Sequence, residues 1–95
     1  MFNSPSTVLE QKKSKAKYPA AKVIVLDDSF NTFQHVATSL FTIIPDMSEK
    51  RAWELTIKVD DSGSAEVCRG NLELAELYHE QLANKGLTMA PIEKI

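Results

Sequence analysis

The sequence after residue 20 is interrupted so often that only short helices and strands can form. Turn-forming or helix-ending residues recur along it, at residues 27–29 (DDS), Pro45, 60–63 (DDSG), Gly70 and Gly86. No segment between two of these breaks is long enough to cross a membrane. A chain of 95 residues has room for one hydrophobic core. We therefore expect one small domain built from short elements, without a membrane span.

Three segments between these breaks are predicted to be strands. The stretch KVIVL at residues 22–26 is apolar and β-branched, and SAEVCR at 64–69 ends at Gly70, which is expected to break the strand. The third is LTMAPIE at 87–93. Pro91 suits this last segment to a sheet edge, because proline cannot donate a hydrogen bond to a neighbouring strand.

Three other segments show the apolar spacing of helices. Asn31 begins a pattern that resembles a capping box, which places the start of the first helix near Thr32. Ser48 is expected to cap a second helix that runs to about Val59, and Asn71 to cap a third. The order β-α-α-β-α-β predicts an α+β fold, in which a small three-stranded antiparallel sheet packs against three helices.

Charge is unevenly distributed along the chain. Residues 1–21 carry four lysines and one glutamate, a net charge of +3, whereas residues 22–95 carry seven basic and twelve acidic residues, a net charge of −5. An acidic body argues against binding to nucleic acid phosphates. The Ser- and Lys-rich start predicts a flexible basic extension over residues 1–20, followed by a folded domain at 21–95.

The sequence does not present a catalytic or metal-binding set. Cys68 is the only cysteine, and His35 and His79 are the only histidines. No nucleophile signature surrounds Cys68, and a second cysteine that could support a zinc site is missing. We expect a non-enzymatic protein without a metal or cofactor, in a reducing, cytoplasmic compartment that suits a lone thiol.

Two acidic turns suggest a receptor for a cation. The triplet DDS occurs at residues 27–29 and again at 60–62, each time beside the apolar face of a predicted helix. If the two helices pack together, carboxylates would surround an apolar hole, which suits a positive group next to an apolar side chain. A peptide N-terminus has this chemistry, because an α-amine with a pKa of about 7.7–8.0 is mostly charged at pH 7.

A resemblance to a known family covers about residues 21–95. It is carried by the segments KVIVLDDSFNTFQHV, RAWELTIKV, NLELAELYHEQL and GLTMAPIE. Together these resemble the ClpS family of adaptors, which deliver substrates with destabilising N-terminal residues (N-degrons) to Clp proteases, and they are most similar to the second cyanobacterial ClpS type. The resemblance implies the fold given above, and an N-terminal extension that engages the unfoldase, a role that residues 1–20 fit. The implied partners are substrate N-terminal peptides and the N-terminal domain of a Clp unfoldase of the ClpC or ClpA type, and we expect a monomer that binds neither nucleic acid nor membrane.

The resemblance also implies roles for individual residues. Asp27 and Asp28 occupy positions that hold the α-amine and the first peptide group in the family, and Asp60 occupies the position of a histidine that binds the amine. The resemblance places the hydrophobic pocket at the positions of Asn31, Thr32, Phe33, Val36, Thr56, Val59, Thr88 and Met89. The unfoldase-facing surface on the third helix would include Glu73 and Tyr78.

Several residues depart from the family pattern, including Ser29 in place of an acidic residue and Asn31-Thr32-Phe33 in place of Thr-Pro-Met. Asp27 stands in place of an asparagine and Asp60 in place of the histidine, so we expect like charges to raise the pKa of at least one carboxylate and binding to weaken as the pH falls. Phe33 stands in place of a flexible methionine. Its rigid ring predicts a shallower pocket that prefers leucine to tryptophan, unless the ring simply faces the core.

Two alternatives to N-degron recognition stay open. If Asp60 has lost the amine contact, the protein binds the unfoldase and modulates it without binding N-degrons. The same order of elements also occurs in the C-terminal domain of the ribosomal stalk protein, although the acidic body argues against that function.

Overall fold

The computed structural model describes residues 19–95 and has the element order β-α-α-β-α-β. The elements are β1 (Ala20–Leu26), α1 (Phe33–Ile43), α2 (Glu49–Ser62), β2 (Ser64–Asn71), α3 (Leu72–Asn84) and β3 (Glu93–Lys94). The predicted order and the α+β class are confirmed. Residues 1–18 of the extension expected over residues 1–20 lie outside the described residues. Ala20, the last residue assigned to that extension, belongs to β1. Between residues 19 and 95, no helix is long and apolar enough to cross a bilayer.

The sheet is antiparallel, with β1 in the centre and the strands in the order β2-β1-β3. β2 does not stop before Gly70 as predicted, because Gly70 has an ordinary strand conformation and pairs with Ala21. The strand predicted over residues 87–93 is only partly right. Met89 pairs with Val25 in an isolated bridge, and a regular strand forms only at Glu93–Lys94, after Pro91, which has no N–H group to donate.

Side-chain oxygen atoms cap the N-terminal ends of all three helices. The oxygens of Ser48 and Asn71 accept the backbone N–H three residues ahead, as expected for N-caps. In α1 the N-cap is Thr32, whose Oγ1 accepts the N–H of His35 at 3.0 Å. The predicted capping box at Asn31 is therefore wrong, although the predicted start of the helix is right.

α2 is almost one turn longer than predicted. Residues 60–62 were expected to form a turn but continue the helix, which ends at Gly63 with φ +89°. The N–H of Gly63 donates to the carbonyl of Val59 at 2.8 Å, a helix ending that requires the left-handed backbone glycine adopts easily. The consequence is that Asp60 lies in the last turn of a helix, which sets the position of its carboxylate.

The hydrophobic core lies between the sheet and the helices. Its largest fully buried side chains come from β1, α1, α2 and α3, and they are Val23, Val25, Leu40, Leu55 and Leu82. α1 packs against α2, and α2 packs against β2. Burial of each of these side chains stabilises the fold by about 1.5–3 kcal/mol. This packing brings the C-terminal end of α2 next to the end of β1.

Candidate functional site

A cavity of about 50 Å³ lies where the end of β1, the start of α1, the last turns of α2 and the segment before β3 meet. Its lining residues are Val25, Leu26, Asp27, Asp28, Asn31, Phe33, Val36, Thr56, Val59, Asp60, Leu87 and Thr88. This space is only a few times the roughly 10–15 Å³ that a single water requires, so the cavity is small.

The structure brings together all but two of the residues predicted for the amine site and the hydrophobic pocket. Thr32 does not line the cavity, because its side chain caps α1. Met89 does not line it either, because it pairs with Val25 in an isolated bridge and packs against the core. Three lining residues, Val25, Leu26 and Leu87, were not predicted; the only signal was that Leu26 and Leu87 each directly adjoin a predicted site residue.

The Asp28 carboxylate is fully occupied by groups of the chain itself. Its Oδ1 accepts the N–H groups of Phe30 (2.9 Å) and Asn31 (2.8 Å), and its Oδ2 accepts Asn31 Nδ2 (2.7 Å) and Thr88 Oγ1 (2.7 Å). A carboxylate has about four acceptor positions, so no position is left for a ligand. These hydrogen bonds, above all that from the Asn31 N–H, hold the pKa of Asp28 well below its usual range. This shift has the opposite direction to the one expected from crowded carboxylates.

The other two carboxylates of the predicted amine site remain available. Asp27 and Asp60 are both exposed, and within residues 19–95 neither side chain takes part in a hydrogen bond or an ion pair. The main chain positions Asp27, whose N–H donates to the carbonyl of Gly63 at 2.9 Å. Asp60 lies in the last turn of α2, where the helix dipole adds partial negative charge. This side of the cavity is therefore suited to a cation.

The opposite part of the lining is apolar. Val36, Val59 and Leu87 are buried side chains that face the cavity. Thr56 is also buried, and its hydroxyl donates to the carbonyl of Ala52 at 2.8 Å within α2. Phe33 is 44% exposed and lines the cavity, so its ring is not simply part of the core.

Hydrogen bonds across the chain hold the opening of the cavity in place. Asn31 Nδ2 donates to the carbonyl of Gly86 at 3.0 Å, and the N–H of Leu26 donates to the carbonyl of Thr88 at 2.8 Å. His35 Nε2 bonds to the carbonyl of Lys85 at 2.7 Å. These bonds join the end of β1, the turn after it and the start of α1 to the segment after α3, and so fix these parts of the cavity wall relative to one another.

The two residues predicted to contact the unfoldase lie on different sides of α3. Glu73 is exposed and Tyr78 is half-buried, and five helical positions separate them by about 140° around the axis. Glu73 lines a second, open depression of about 440 Å³, together with Pro19, Asn71, Leu72 and Glu76. Leu74 and Leu77 are 42% and 43% exposed, so α3 presents apolar as well as acidic side chains.

The remaining titratable candidates do not form a catalytic or metal site. Burial raises the pKa of the Cys68 thiol to about 11, which keeps it protonated at neutral pH. His35 and His79 each bond to a main-chain carbonyl. In the part of the chain that the structure describes, no group of three metal-ligating side chains comes together.

Comparison with known proteins identifies the family. The family model described as "ATP-dependent Clp protease adaptor protein ClpS" matches residues 10–90. The chain belongs to the ClpS family. It is 55% identical to the ClpS adapter of Thermosynechococcus vestitus over 91 residues, which cover 94% of this chain and 97% of that protein. It is 60% identical to the ClpS adapter of Synechocystis sp. over 77 residues, which cover 81% of this chain and 79% of that protein.

A solved ClpS structure has the same fold. It is that of Agrobacterium tumefaciens ClpS2 bound to L-phenylalaninamide, with a TM-score of 0.75 and 22% sequence identity. The match covers 81% of this chain and 98% of that one. The predicted ClpS fold and the resemblance to cyanobacterial ClpS adapters are confirmed, and the chain is an adaptor of the Clp protease.

Proposed function

We propose that this adaptor binds substrates through a bulky apolar N-terminal residue and delivers them to a Clp unfoldase for degradation. The observation that carries the proposal is the composition of the cavity, in which an apolar wall faces the available carboxylates of Asp27 and Asp60. A protein N-terminus offers the complementary pair of groups, an ammonium next to an apolar side chain. L-Phenylalaninamide, the ligand of the Agrobacterium ClpS2 structure, has the same pair of groups.

The two halves of the ligand make separate contributions to affinity. A hydrogen bond to a charged group contributes about 1.5–3 kcal/mol, and burial of a leucine side chain contributes about as much. Loss of either half should therefore weaken binding by roughly tenfold or more. In this scheme Asp27 and Asp60 bind the amine. Asp28, whose acceptor positions are occupied, keeps the turn after β1 in shape instead.

The size of the cavity favours leucine over larger side chains. The cavity is small, and a leucine side chain needs less space than the ring of phenylalanine and much less than the double ring of tryptophan. Phe33 narrows the opening with a rigid ring, where the family has a flexible methionine. The proposed order of preference is leucine first, then phenylalanine, with tryptophan last.

Delivery requires a second surface, which we assign to α3. Glu73 and Tyr78 would contact the N-terminal domain of a ClpC- or ClpA-type unfoldase, and the exposed Leu74 and Leu77 enlarge this surface. The segment 1–20 is assigned to the same partner. We place the adaptor in the cytoplasm, because its only cysteine is a free thiol suited to a reducing compartment. We also propose that it is a monomer without enzyme activity.

Peptide binding is the decisive experiment. Fluorescence anisotropy would be measured with labelled peptides that differ only at residue one, as Leu, Phe, Tyr, Trp, Ala or N-acetyl-Leu. The proposal expects binding of the free Leu and Phe peptides, and affinities at least roughly tenfold lower for Ala and N-acetyl-Leu. Equal affinity for Leu and N-acetyl-Leu would contradict it, because the carboxylates would then have no role.

The occupied Asp28 carboxylate favours a second candidate function. A family position that holds the ligand is already taken by hydrogen bonds within this chain, as expected for a ClpS-like protein that modulates the unfoldase without binding N-degrons. A stable complex with the unfoldase N-terminal domain, combined with no discrimination among the peptides, would favour this candidate.

A further inference from the structure

Phe30 is the most exposed large apolar side chain in the described part of the protein. It is 89% exposed, and it lies in the turn between β1 and α1. Asp28 and Asn31, on either side of it in sequence, both line the cavity. Because neighbouring Cα atoms are about 3.8 Å apart, the Phe30 Cα lies about that far from the Cα of the lining residue Asn31. Phe30 itself does not line the cavity, so the ring stands outside it.

A single exposed aromatic residue is common in a mobile loop, but this turn is braced. The Phe30 N–H donates to Asp28 Oδ1 at 2.9 Å, and the next residue, Asn31, donates its own N–H to the same oxygen at 2.8 Å. Asn31 Nδ2 also donates to Asp28 Oδ2 and to the carbonyl of Gly86, while Thr88 Oγ1 donates to Asp28 Oδ2. These five hydrogen bonds fix the backbone that carries the ring, so the point from which the ring extends is defined.

We infer that Phe30 forms a second subsite, which packs against an apolar side chain at residue two of the bound peptide. The inference rests on the proposed function. When the first residue fills the cavity, the second leaves through the opening, about 3.8 Å further along the peptide. Asp27 and Asp60 bind the amine and Phe33 lines the cavity that holds residue one, so Phe30 is the apolar side chain left for residue two.

The ring suits this role because its contact with a ligand costs little entropy. An aromatic side chain has only two rotatable bonds, and the backbone that carries it is already braced. An aromatic pair adds about two- to tenfold to affinity beyond simple burial. The expected ligand is therefore a peptide with a bulky apolar residue one and an aromatic or aliphatic residue two.

The test compares two peptides on three proteins. Peptides that begin Leu-Phe and Leu-Ala and are otherwise identical would be titrated by anisotropy against the wild type, Phe30→Ala and Ile57→Ala. Ile57 is the matched control, because it is an apolar residue 47% exposed on α2 that does not line the cavity. N-acetylated versions of both peptides report on the amine site. Thermal unfolding checks that each variant is folded.

The expected result is a preference for Leu-Phe over Leu-Ala of about three- to tenfold in the wild type and in Ile57→Ala. Phe30→Ala should lose this preference and keep the wild-type affinity for Leu-Ala. Equal affinities in the wild type, or a preference that survives in Phe30→Ala, would overturn the second subsite while leaving the proposed function intact. If neither peptide binds better than its acetylated version, the proposed function fails and the subsite fails with it. Weaker binding of Phe30→Ala to the unfoldase N-terminal domain, with the peptide preference unchanged, would assign the ring to that partner and overturn the inference.

Discussion

Asp60 and Asp61 form a matched pair for testing how the amine is bound. They are neighbours in the last turn of α2, both are exposed, and no basic residue lies in that turn. Only Asp60 lines the cavity. Replacement of either residue by asparagine removes one negative charge from the same helix end with little change of shape. Any difference between Asp60→Asn and Asp61→Asn therefore reports on contact with the ligand.

Both variants should be more stable than the wild type. A carboxylate at the C-terminal end of a helix is unfavourable by about 0.3–1 kcal/mol, because the unpaired carbonyl groups there carry partial negative charge. For a domain of this size, such a gain raises Tm by roughly 2–6 °C. Urea denaturation of both variants measures this effect, and it also excludes unfolding as the cause of any loss of binding.

Only Asp60→Asn should weaken the binding of a Leu peptide substantially. A charged hydrogen bond exceeds a neutral one by about 1–2 kcal/mol, so the Kd should rise about five- to thirtyfold. A charge about 8 Å from the amine contributes about 0.5 kcal/mol in a water-like dielectric, and salt screens it further. For Asp61→Asn we therefore expect a change of about twofold at most.

Fluorescence anisotropy with the free and N-acetylated Leu peptides, at low and at physiological salt, checks these values. An equal loss of affinity in the two variants would refute contact between Asp60 and the amine, since only the total negative charge near the end of α2 would then affect binding. An unchanged Kd in Asp60→Asn would refute the assignment of Asp60 altogether. The acetylated peptide should not distinguish the two variants, because it has no ammonium group.

Three further predictions follow from the same structure. The pKa of Asp28 is lowered in the folded protein, so its stabilising effect is present above the unfolded pKa of about 3.9 and is lost as the pH falls through the folded value. The free energy of unfolding should therefore decrease less steeply towards acid pH in Asp28→Asn than in the wild type, and urea denaturation as a function of pH measures this. Gly63→Ala should lower the free energy of unfolding by about 1–2 kcal/mol, because φ at this residue is +89°. Gly70 has open space around it and an ordinary φ, so Gly70→Ala should be close to neutral, and urea denaturation of the two variants compares them. Phe33→Ala should widen the cavity and shift the peptide preference from leucine towards phenylalanine and tryptophan, and an unchanged preference in the anisotropy series would show that Phe33 does not limit pocket size.

Features that depend on neighbouring residues could be predicted from the sequence. The caps at Ser48 and Asn71 involve a backbone N–H only three residues away, and Gly86, named as a turn-forming or helix-ending residue, follows the end of α3 with φ +91°. The β-branched stretch at 22–26 forms the central strand. These local patterns were sufficient for the order of the elements and the fold class, because each element is started or ended by groups within a few residues of it.

Boundaries that depend on a partner segment could not be predicted. β2 continues through Gly70 because β1 is there to pair with it, and the segment 87–93 pairs with β1 only at Met89 and again from Glu93, although its composition is strand-like throughout. The end of α2 was also misplaced, because residues 60–62 favour turns in isolation. In the folded chain they continue the helix as far as Gly63, which provides the left-handed ending.

The sequence by itself determined the order of the helices and strands, and it indicated which residue types come near one another at the site. Only the tertiary structure decided how those residues are used. Thr88, sixty positions from Asp28 in sequence, donates to its carboxylate and helps to occupy it, which leaves Asp27 and Asp60 as the available carboxylates of that site. The physical reason is that a polar side chain is engaged by whichever donors the folded chain brings within hydrogen-bonding distance, and the last acceptor position of Asp28 is filled by a donor from a segment far away in sequence.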